Sequence, residues 1–490
     1  MSKFSKSRGI GFYLHTIIGL FLMFAFGRIV PPMEPLTYLG MQILGVFIGT
    51  VWLWCFVGFL WPSLIALIAF GLTDYVNHFN QIVASAFGNQ VPALLLFSMI
   101  LFGSPQHVGV TDYITRWFLT RKISNGRPIV FSFIFIFATY VLAVAVNVTP
   151  ALILMWTVLH SVLKELNYKP GDKYSSLMVV GTFLGAISGQ ASLPFTGGTL
   201  AILTVFEREA GIAVPIPQYM LLGFILSTLV FVLYCLFMKF ISRPDMTNIA
   251  DIDTEMFDRN PLPPMSKLQK ANFFAMLGFV FLVLLPSFLP DAFFVTREIA
   301  QTLERLGPLG IAILITGLMC VLHADGQPLL DFRAVAAKSI NWEIYVMVAT
   351  AIAISGALTS ESTGVTEMMI IVFNPVLGGH SPMIFFVLML LVGIFATSFA
   401  MNLIVGITLM PILVTFGIAA GVNLPAVAAT TTLLINYAII LPSASAFAAM
   451  LWSNKEWLTS KEVFKYATVI VIFATVVSIV VIIPISLVLF

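Results

Sequence analysis

From Met368 to Asn454 the chain carries no Asp, Glu, Lys or Arg, and a second such run extends from Pro128 to Leu163. Apolar stretches of about 20 residues, the length that spans a bilayer as a helix, recur along the sequence. The composition agrees: of 490 residues 59% are hydrophobic and 9% charged, a balance foreign to soluble domains. The mean hydropathy is +1.02. These observations define an all-α polytopic membrane protein. A transmembrane barrel would show short alternating strands instead.

Each charge-free run is interrupted. In Val144–Trp156, the segment Asn147-Val-Thr-Pro150 separates two apolar helices. Thr149 is placed to cap the second helix, with Pro150 at its first position, where a missing N–H costs nothing. In Ser398-Phe-Ala-Met-Asn402, Asn402 has the same setting, a lone amide between two apolar arms. Paired broken apolar segments in the two halves of a chain point to a transporter's binding site. A broken helix offers free N–H groups and a positive dipole end to an anion. The free carbonyls of the preceding arm suit a cation such as Na⁺. Asparagine supplies both a donor and an acceptor, so one tip can hold a carboxylate and sodium side by side.

Read in order, spans are expected at about 11–29, 38–57, 60–72 and 92–102, followed by an amphipathic stretch ending at Arg121-Lys122. The first hairpin covers about 128–162. A fifth span follows, with Gly181, Gly185 and Gly189 on one face, broken at Pro194-Phe-Thr196-Gly-Gly-Thr199. A sixth lies at about 220–240. The polar stretch 242–269 reads as a linker between halves. Spans seven to nine lie at about 272–288, 309–322 and 343–358, with an amphipathic surface helix at 332–338. The second hairpin covers about 382–419. Span ten is broken at Leu441-Pro-Ser-Ala-Ser445, and span eleven covers about 468–490. The pattern is an inverted-repeat transporter with two re-entrant helical hairpins and about 11 spans; the basic-residue bias fits a hairpin of two full spans equally, because both return to the same face. Each half runs from a hairpin to a broken span.

With the N-terminus cytoplasmic, only Arg28, Arg208, Arg297 and Arg305 of the 24 basic residues fall on the outer side. The first hairpin then opens to the cytoplasm, the second to the outside, and the C-terminus lies outside the inner (cytoplasmic) membrane. Lys3, Lys6 and Arg8 precede an apolar run without a small-residue cleavage site, so the first span is expected to stay uncleaved.

The candidate substrate contacts are Asn147, Thr149, Thr196, Asn402 and Ser445. Each has a structural alternative: a polar turn or cap at Asn147, Thr149, Ser443 and Ser445, and a kink satisfied by its neighbours at Thr196-Gly-Gly-Thr199. The Gly181, Gly185 and Gly189 face suits close helix packing. Cys55, Cys235 and Cys320 lie in apolar segments without metal-ligand spacing, and the six histidines are scattered. Acids that could form a proton relay are missing from the hairpins and spans five and ten. An anion there has to be held by backbone amides, hydroxyls, asparagines and co-bound cations.

The sequence resembles the divalent anion/sodium symporter family of di- and tricarboxylate transporters. That family has two Ser-Asn-Thr hairpin tips, each with a proline eight residues after the threonine, and a Thr-Pro-Pro-Asn break in each partner span. The tips here read Val146-Asn147-Val148 and Met401-Asn402-Leu403; Pro411 falls at the family's spacing, and Trp156 stands at the equivalent first-copy position. Thr196-Gly-Gly-Thr199 and Ser445-Ala-Phe-Ala448 stand where the Thr-Pro-Pro-Asn motifs fall. Ala86-Phe-Gly-Asn-Gln90, Gly109-Val110 and Asn341-Trp342-Glu343 are further landmarks. Both central asparagines are kept, while the flanking serine and threonine are replaced. The resemblance implies sodium sites at Asn147, Gly189, Gly197, Asn402 and Ala446. It also implies a homodimer whose protomers each move a transport domain as an elevator against a scaffold. The corresponding division is scaffold 1–126, first transport half 127–241, linker 242–269, scaffold 270–373 and second transport half 374–490.

The expected function is secondary active transport of small anions, di- or tricarboxylates, coupled to sodium, with no other cofactor and no nucleic-acid partner. A sodium-independent exchanger or an arsenite- or citrate-type permease is the alternative. An ion channel would need a continuous polar path. A membrane enzyme would show clustered His, Asp or Glu at one face, and the sequence suggests none.

Overall fold

A computed structural model describes residues 10–119, 126–146, 148–195, 197–250, 263–289, 294–358, 360–399, 401–442 and 444–490. The chain begins with α1 (Ile10–Ile29), which passes through a π-helical turn at Leu22–Phe26. It lies along α2 (Tyr38–Phe56), capped by the Thr37 hydroxyl, which accepts from the Gly40 N–H at 3.0 Å. α3 (Leu60–Gly71) follows, and Arg28 donates to the Leu72 carbonyl beyond its end at 3.1 Å. α4 (Phe79–Phe87) and α5 (Gln90–His107) form a pair bent by 45°, and α6 (Val110–Leu119) is the amphipathic stretch, whose expected end at Arg121-Lys122 lies outside the described residues. The span expected at 92–102 is thus the middle of the longer α5.

The first hairpin is α7 (Pro128–Val146) and α8 (Val148–Glu165). Its partner span is α9 (Lys173–Ala191), broken before α10 (Gly197–Ala210), and α11 (Ile216–Ser242) closes this half. Residues 251–262 of the expected linker lie outside the described residues, and α12 (Lys267–Leu284) and α13 (Phe294–Val321) follow it. Ser266 and Gln269 start α12 with a reciprocal capping box. α13 reaches further towards its N-terminus than expected and kinks at Gly307-Pro308, where Gly307 adopts φ +57°, a conformation that favours glycine. A two-stranded ribbon pairs His323–Ala324 with Gln327–Pro328. α14 (Phe332–Ser339) and α15 (Trp342–Leu358) then meet at 73°, followed by α16 (Val365–Leu377). The second hairpin is α17 (Pro382–Phe399) and α18 (Asn402–Ala420). Its broken partner is α19 (Leu424–Ile435) and α20 (Ala446–Ser453), and α21 (Ser460–Leu489) ends the fold.

Eight helices among the described residues are long and apolar enough to cross a bilayer, and up to 11 if each of three bent pairs counts as one span: α4–α5, α14–α15, and α16–α17, which meet at 105°. The eight include α7 and α18, one arm of each hairpin. The expected total therefore agrees in number without matching helix for helix.

The repeat reaches further back than the hairpins. A bent pair and a short helix (α4, α5, α6) precede the first hairpin, and another such set (α14, α15, α16) precedes the second. Both bends carry an asparagine cap. Asn89 Oδ1 accepts from the Val91 N–H at 2.9 Å, and Asn341 Oδ1 from the Ile344 N–H at 3.1 Å. The landmarks at 86–90 and 341–343 are therefore the caps that restart a bent pair.

Burial divides the molecule. Residues of α1 to α4 form one apolar cluster with part of α15, while the hairpins, broken spans, α11 and α21 lie in another together with α5, α12, α13, α14 and the rest of α15. α9 is at the centre of the second cluster: from Tyr174 to Gly189 every residue is buried. Its small-residue face packs on α7. A Cβ at Gly189 would lie 2.5 Å from the Tyr140 carbonyl oxygen, so only glycine permits this approach without a shift.

Each broken span belongs to both halves. α9 packs on α7 and α8, whereas its continuation α10 packs on α18 of the other hairpin. In the second half α19 packs on α17 and α18, while the chain continuing through α20 reaches α8. There the Trp457 and His160 rings stack at 4.8 Å. This exchange brings the two breaks and the hairpin tips together.

Candidate functional site

Four helices begin where the halves meet: α8, α10, α18 and α20. Each start leaves N–H groups without intrahelical acceptors and a positive dipole end. Contacts link them in a chain, from α10 to α18, from α18 to the start of α20, and from α20 to α8. A Cβ at Gly198 of α10 would sit 3.3 Å from the Leu403 side chain of α18. The Asn402 N–H donates to the Ala444 carbonyl just before α20 at 2.9 Å. Thr149 of α8 directs its hydroxyl towards the Met450 sulfur of α20 at 4.0 Å.

Asn402 has little freedom. Its Oδ1 accepts from the Leu403 N–H at 2.9 Å, and its Nδ2 donates to Asn436 Oδ1 at 3.1 Å. Asn436 lies just past the end of α19 and donates in turn to the Thr432 carbonyl at 2.8 Å. Its Nδ2 also lies 3.5 Å from the Thr199 hydroxyl of α10. Thr199 is fully buried, and Asn402 and Asn436 are half-buried. One string of polar groups therefore runs from the second hairpin through its own broken span to the broken span of the other half.

Hydroxyls make a second string. Ser192, at the end of α9, donates to the Ser188 carbonyl at 2.9 Å and lies 3.4 Å from Ser227 of α11. Ser227 is 3.2 Å from the Tyr437 hydroxyl, next to Asn436. Tyr219 donates to the Ala191 carbonyl at 2.9 Å. Inside a membrane a helix break is tolerable only where such partners satisfy its backbone.

Ser445 caps α20, its Oγ accepting from the Ala448 N–H at 2.9 Å. Thr149 does not cap α8. The helix starts two residues before the expected Pro150, at Val148, so Thr149 and Pro150 both lie within the first turn. Pro150 still fits, because N–H groups in the first turn have no intrahelical acceptor. Gly189 lies on the α7–α9 contact, beside Tyr140, Ala143 and Val144. Gly197 and Ala446 are the first residues of α10 and α20. Asn147, Thr196 and Ser443 lie outside the described residues. Asn436 escaped the sequence reading, because it lies in an apolar stretch with no motif around it and is joined to Asn402 across 34 positions.

No charge enters this centre from the two charge-free runs, and the sequence has none between Lys173 and Glu207. Among the described residues no group of three His, Cys, Asp or Glu side chains comes together to hold a metal ion. A crevice of about 290 Å³ runs beside the centre, between α5, the α13 kink and α10, lined by Gln90, Phe195, Thr204, Glu207 and Gly307 among others. A neighbouring cavity of about 220 Å³ lies against Asn89, Arg208 and Ile352. Arg208 donates to the Ile352 carbonyl of α15 at 3.3 Å, so α10 meets α15 here through a hydrogen bond.

Mirrored hairpins, broken spans that exchange partners and a neutral polar centre define a multi-pass membrane transporter. A profile of the citrate transporter family (CitMHS) matches residues 14–435, and the chain belongs to that family. No curated protein matches the sequence. Two solved transporters share the fold. Neisseria gonorrhoeae MtrF, described as illuminating a class of antimetabolite efflux pumps, superposes with a TM-score of 0.55 at 14% identity, over 97% of this chain and 96% of MtrF. The Alcanivorax borkumensis YdaH transporter, described as having an unusual topology, superposes with a TM-score of 0.51 at 14% identity, over 82% of this chain and 87% of YdaH. The resemblance to anion transporters drawn from the sequence is borne out, and the matching family is the one named for citrate.

Proposed function

We propose that this secondary transporter moves small citrate-type anions, di- or tricarboxylates, across the cytoplasmic membrane in symport with sodium. The observation that carries the reading is the neutral junction of four helix starts with the Asn402, Asn436 and Thr199 side chains. Helix N-termini and amide N–H groups bind carboxylates without a fixed cation. A multiply charged anion in such a site calls for co-bound cations, and carbonyls freed at the breaks supply their oxygen ligands. Asn147, Thr149, Thr196, Asn402 and Ser445 contact the substrate in this account. Sodium lies by Asn147, Gly189, Gly197, Asn402 and Ala446.

The hairpins, broken spans, α11 and α21 move together against the scaffold. The contact of α18 with α2, α15 and α16 supports such sliding: Phe47, Trp54, Leu358, Ile404, Ile407 and Pro411 line a small apolar gap there. The crevice beside α10 gives the anion a water-filled approach. The basic-residue bias supports a cytoplasmic N-terminus and an outer C-terminus, and the protein works as a homodimer.

Uptake of labelled citrate into proteoliposomes tests the reading. Saturable uptake driven by an inward sodium gradient is the expected result. Counterflow that ignores sodium would replace symport by exchange, a reading favoured by the loss of the serine and threonine flanking both tip asparagines. No saturable flux of any di- or tricarboxylate would contradict the substrate class.

A further inference from the structure

Asn402 can bind an anion only if its amide faces the right way, and the groups around it determine that orientation. At one end stands the Leu403 N–H, which can only donate, so the atom facing it at 2.9 Å is Asn402 Oδ1. At the other end stands the Thr432 carbonyl, which can only accept, so the atom facing it at 2.8 Å is Asn436 Nδ2. Between these ends the amides meet at 3.1 Å, and the only consistent arrangement is Asn402 Nδ2 donating to Asn436 Oδ1. Two backbone groups thus fix both side chains. One N–H of Asn402 is engaged, and its second N–H has a defined direction.

We infer that Asn436 is a positioning residue for anion recognition: it holds the Asn402 amide with its N–H side turned to the substrate and ties the second hairpin tip to α10 through Thr199. The inference rests on the anion-transport reading above. It extends that reading by assigning the donor end of Asn402 to the anion, and it adds a residue that no motif marks. Without Asn436 the Leu403 N–H alone holds the Asn402 amide, at its oxygen; a single contact leaves the amide free to swing away and present that oxygen, which repels a carboxylate.

The test compares Asn436→Ala, Asn436→Ser and Asn423→Ala in the full-length protein. Asn423 caps the opposite end of the same helix, its Oδ1 accepting from the Ala426 N–H at 3.2 Å, and lies outside the site. Asn436→Ala is expected to raise the KM for citrate about tenfold with little change in maximal rate, the equivalent of one such interaction (about 1.4 kcal/mol). Asn436→Ser recovers part of the loss, because a serine hydroxyl can bond back to the Thr432 carbonyl and accept from Asn402. Asn423→Ala lowers thermal stability and leaves KM unchanged. Hydrogen exchange of the Leu403 amide, read on the purified protein without substrate, is expected to quicken several-fold in Asn436→Ala. If wild-type protein transports citrate and Asn436→Ala leaves KM unchanged, the inference fails while the transport reading stands. If no anion is carried by the wild type, the transport reading fails, and unaltered exchange at Leu403 would remove the tether as well.

Discussion

The two broken spans follow one plan and hold it by different means. The first break is short, from Ser192 to the start of α10 at Gly197; close packing dominates there, with Gly189 letting the α9 and α7 backbones touch, and Tyr219 and Ser192 add hydrogen bonds at the end of α9. The second extends from Asn436 to Ser445 and is held by side chains: Asn436 grips Asn402, the Ala444 carbonyl receives the Asn402 N–H, and Ser445 caps α20. Close packing tolerates no added volume. A hydrogen-bonded tether can be exchanged for contacts with a ligand. The comparison teaches that the repeat conserves geometry while the second half carries more of the adaptable polar chemistry.

Substitutions at matched positions can break this contrast. The largest effect is expected at Gly189→Val. The new side chain meets the Tyr140 carbonyl, a backbone atom that cannot swing away, and overpacking of this kind costs about 1–3 kcal/mol or more. Size-exclusion chromatography should show little monodisperse protein. By contrast, Gly198→Ala meets only the movable Leu403 side chain at 3.3 Å and should leave the melting temperature within a few degrees. Next comes Asn402→Ala, which removes the group that joins Leu403 to Asn436. Citrate uptake should fall at least tenfold in well-folded protein, with about 1–3 kcal/mol lost where the Asn436 oxygen is left without its donor.

A smaller effect separates cap from site at Ser445. Ser445→Ala should lower stability by about 1 kcal/mol, the value of a helix cap. Ser445→Asp keeps the cap but brings a negative charge to the anion path, so it should retain the melting temperature and lose uptake. If both variants transport normally, Ser445 is a cap and nothing more. The smallest effect is expected at Lys164→Ala. Lys164 and Glu456 pair at 3.8 Å with both side chains about two-thirds exposed, at 65% and 67%. Pairs of this kind contribute about 0–1 kcal/mol, so the melting temperature should barely move.

Much of this architecture is legible in the sequence, because apolar runs and their interruptions are one-dimensional signals. The boundaries of α2 and α3 fall within a residue or so of the expected spans, and both hairpins lie where Asn147 and Asn402 interrupt their runs. Three features escape such reading for physical reasons. Asn80 and Gln81 give α4 a polar surface that disguises it as part of a loop, although it is half of a bent helix pair. α16 starts just after Gly364, at φ +68°, but runs on into the charge-free stretch from Met368, which hides its boundary with α17. Asn436 has meaning only through its contact with Asn402. The site is therefore half legible: the tips are marked by local breaks, and the residue that orients one of them is visible only after folding.

Thermal stabilisation of purified protein by citrate, in wild type and in Asn402→Ala, tests the central claim most directly. Binding to the folded state alone raises stability by about 2.7 kcal/mol at one hundred times the dissociation constant. The account predicts a clear rise in melting temperature for the wild type and little or none for Asn402→Ala. Equal stabilisation of both, or of neither, would contradict an anion site at the junction of the hairpin tips and the broken spans.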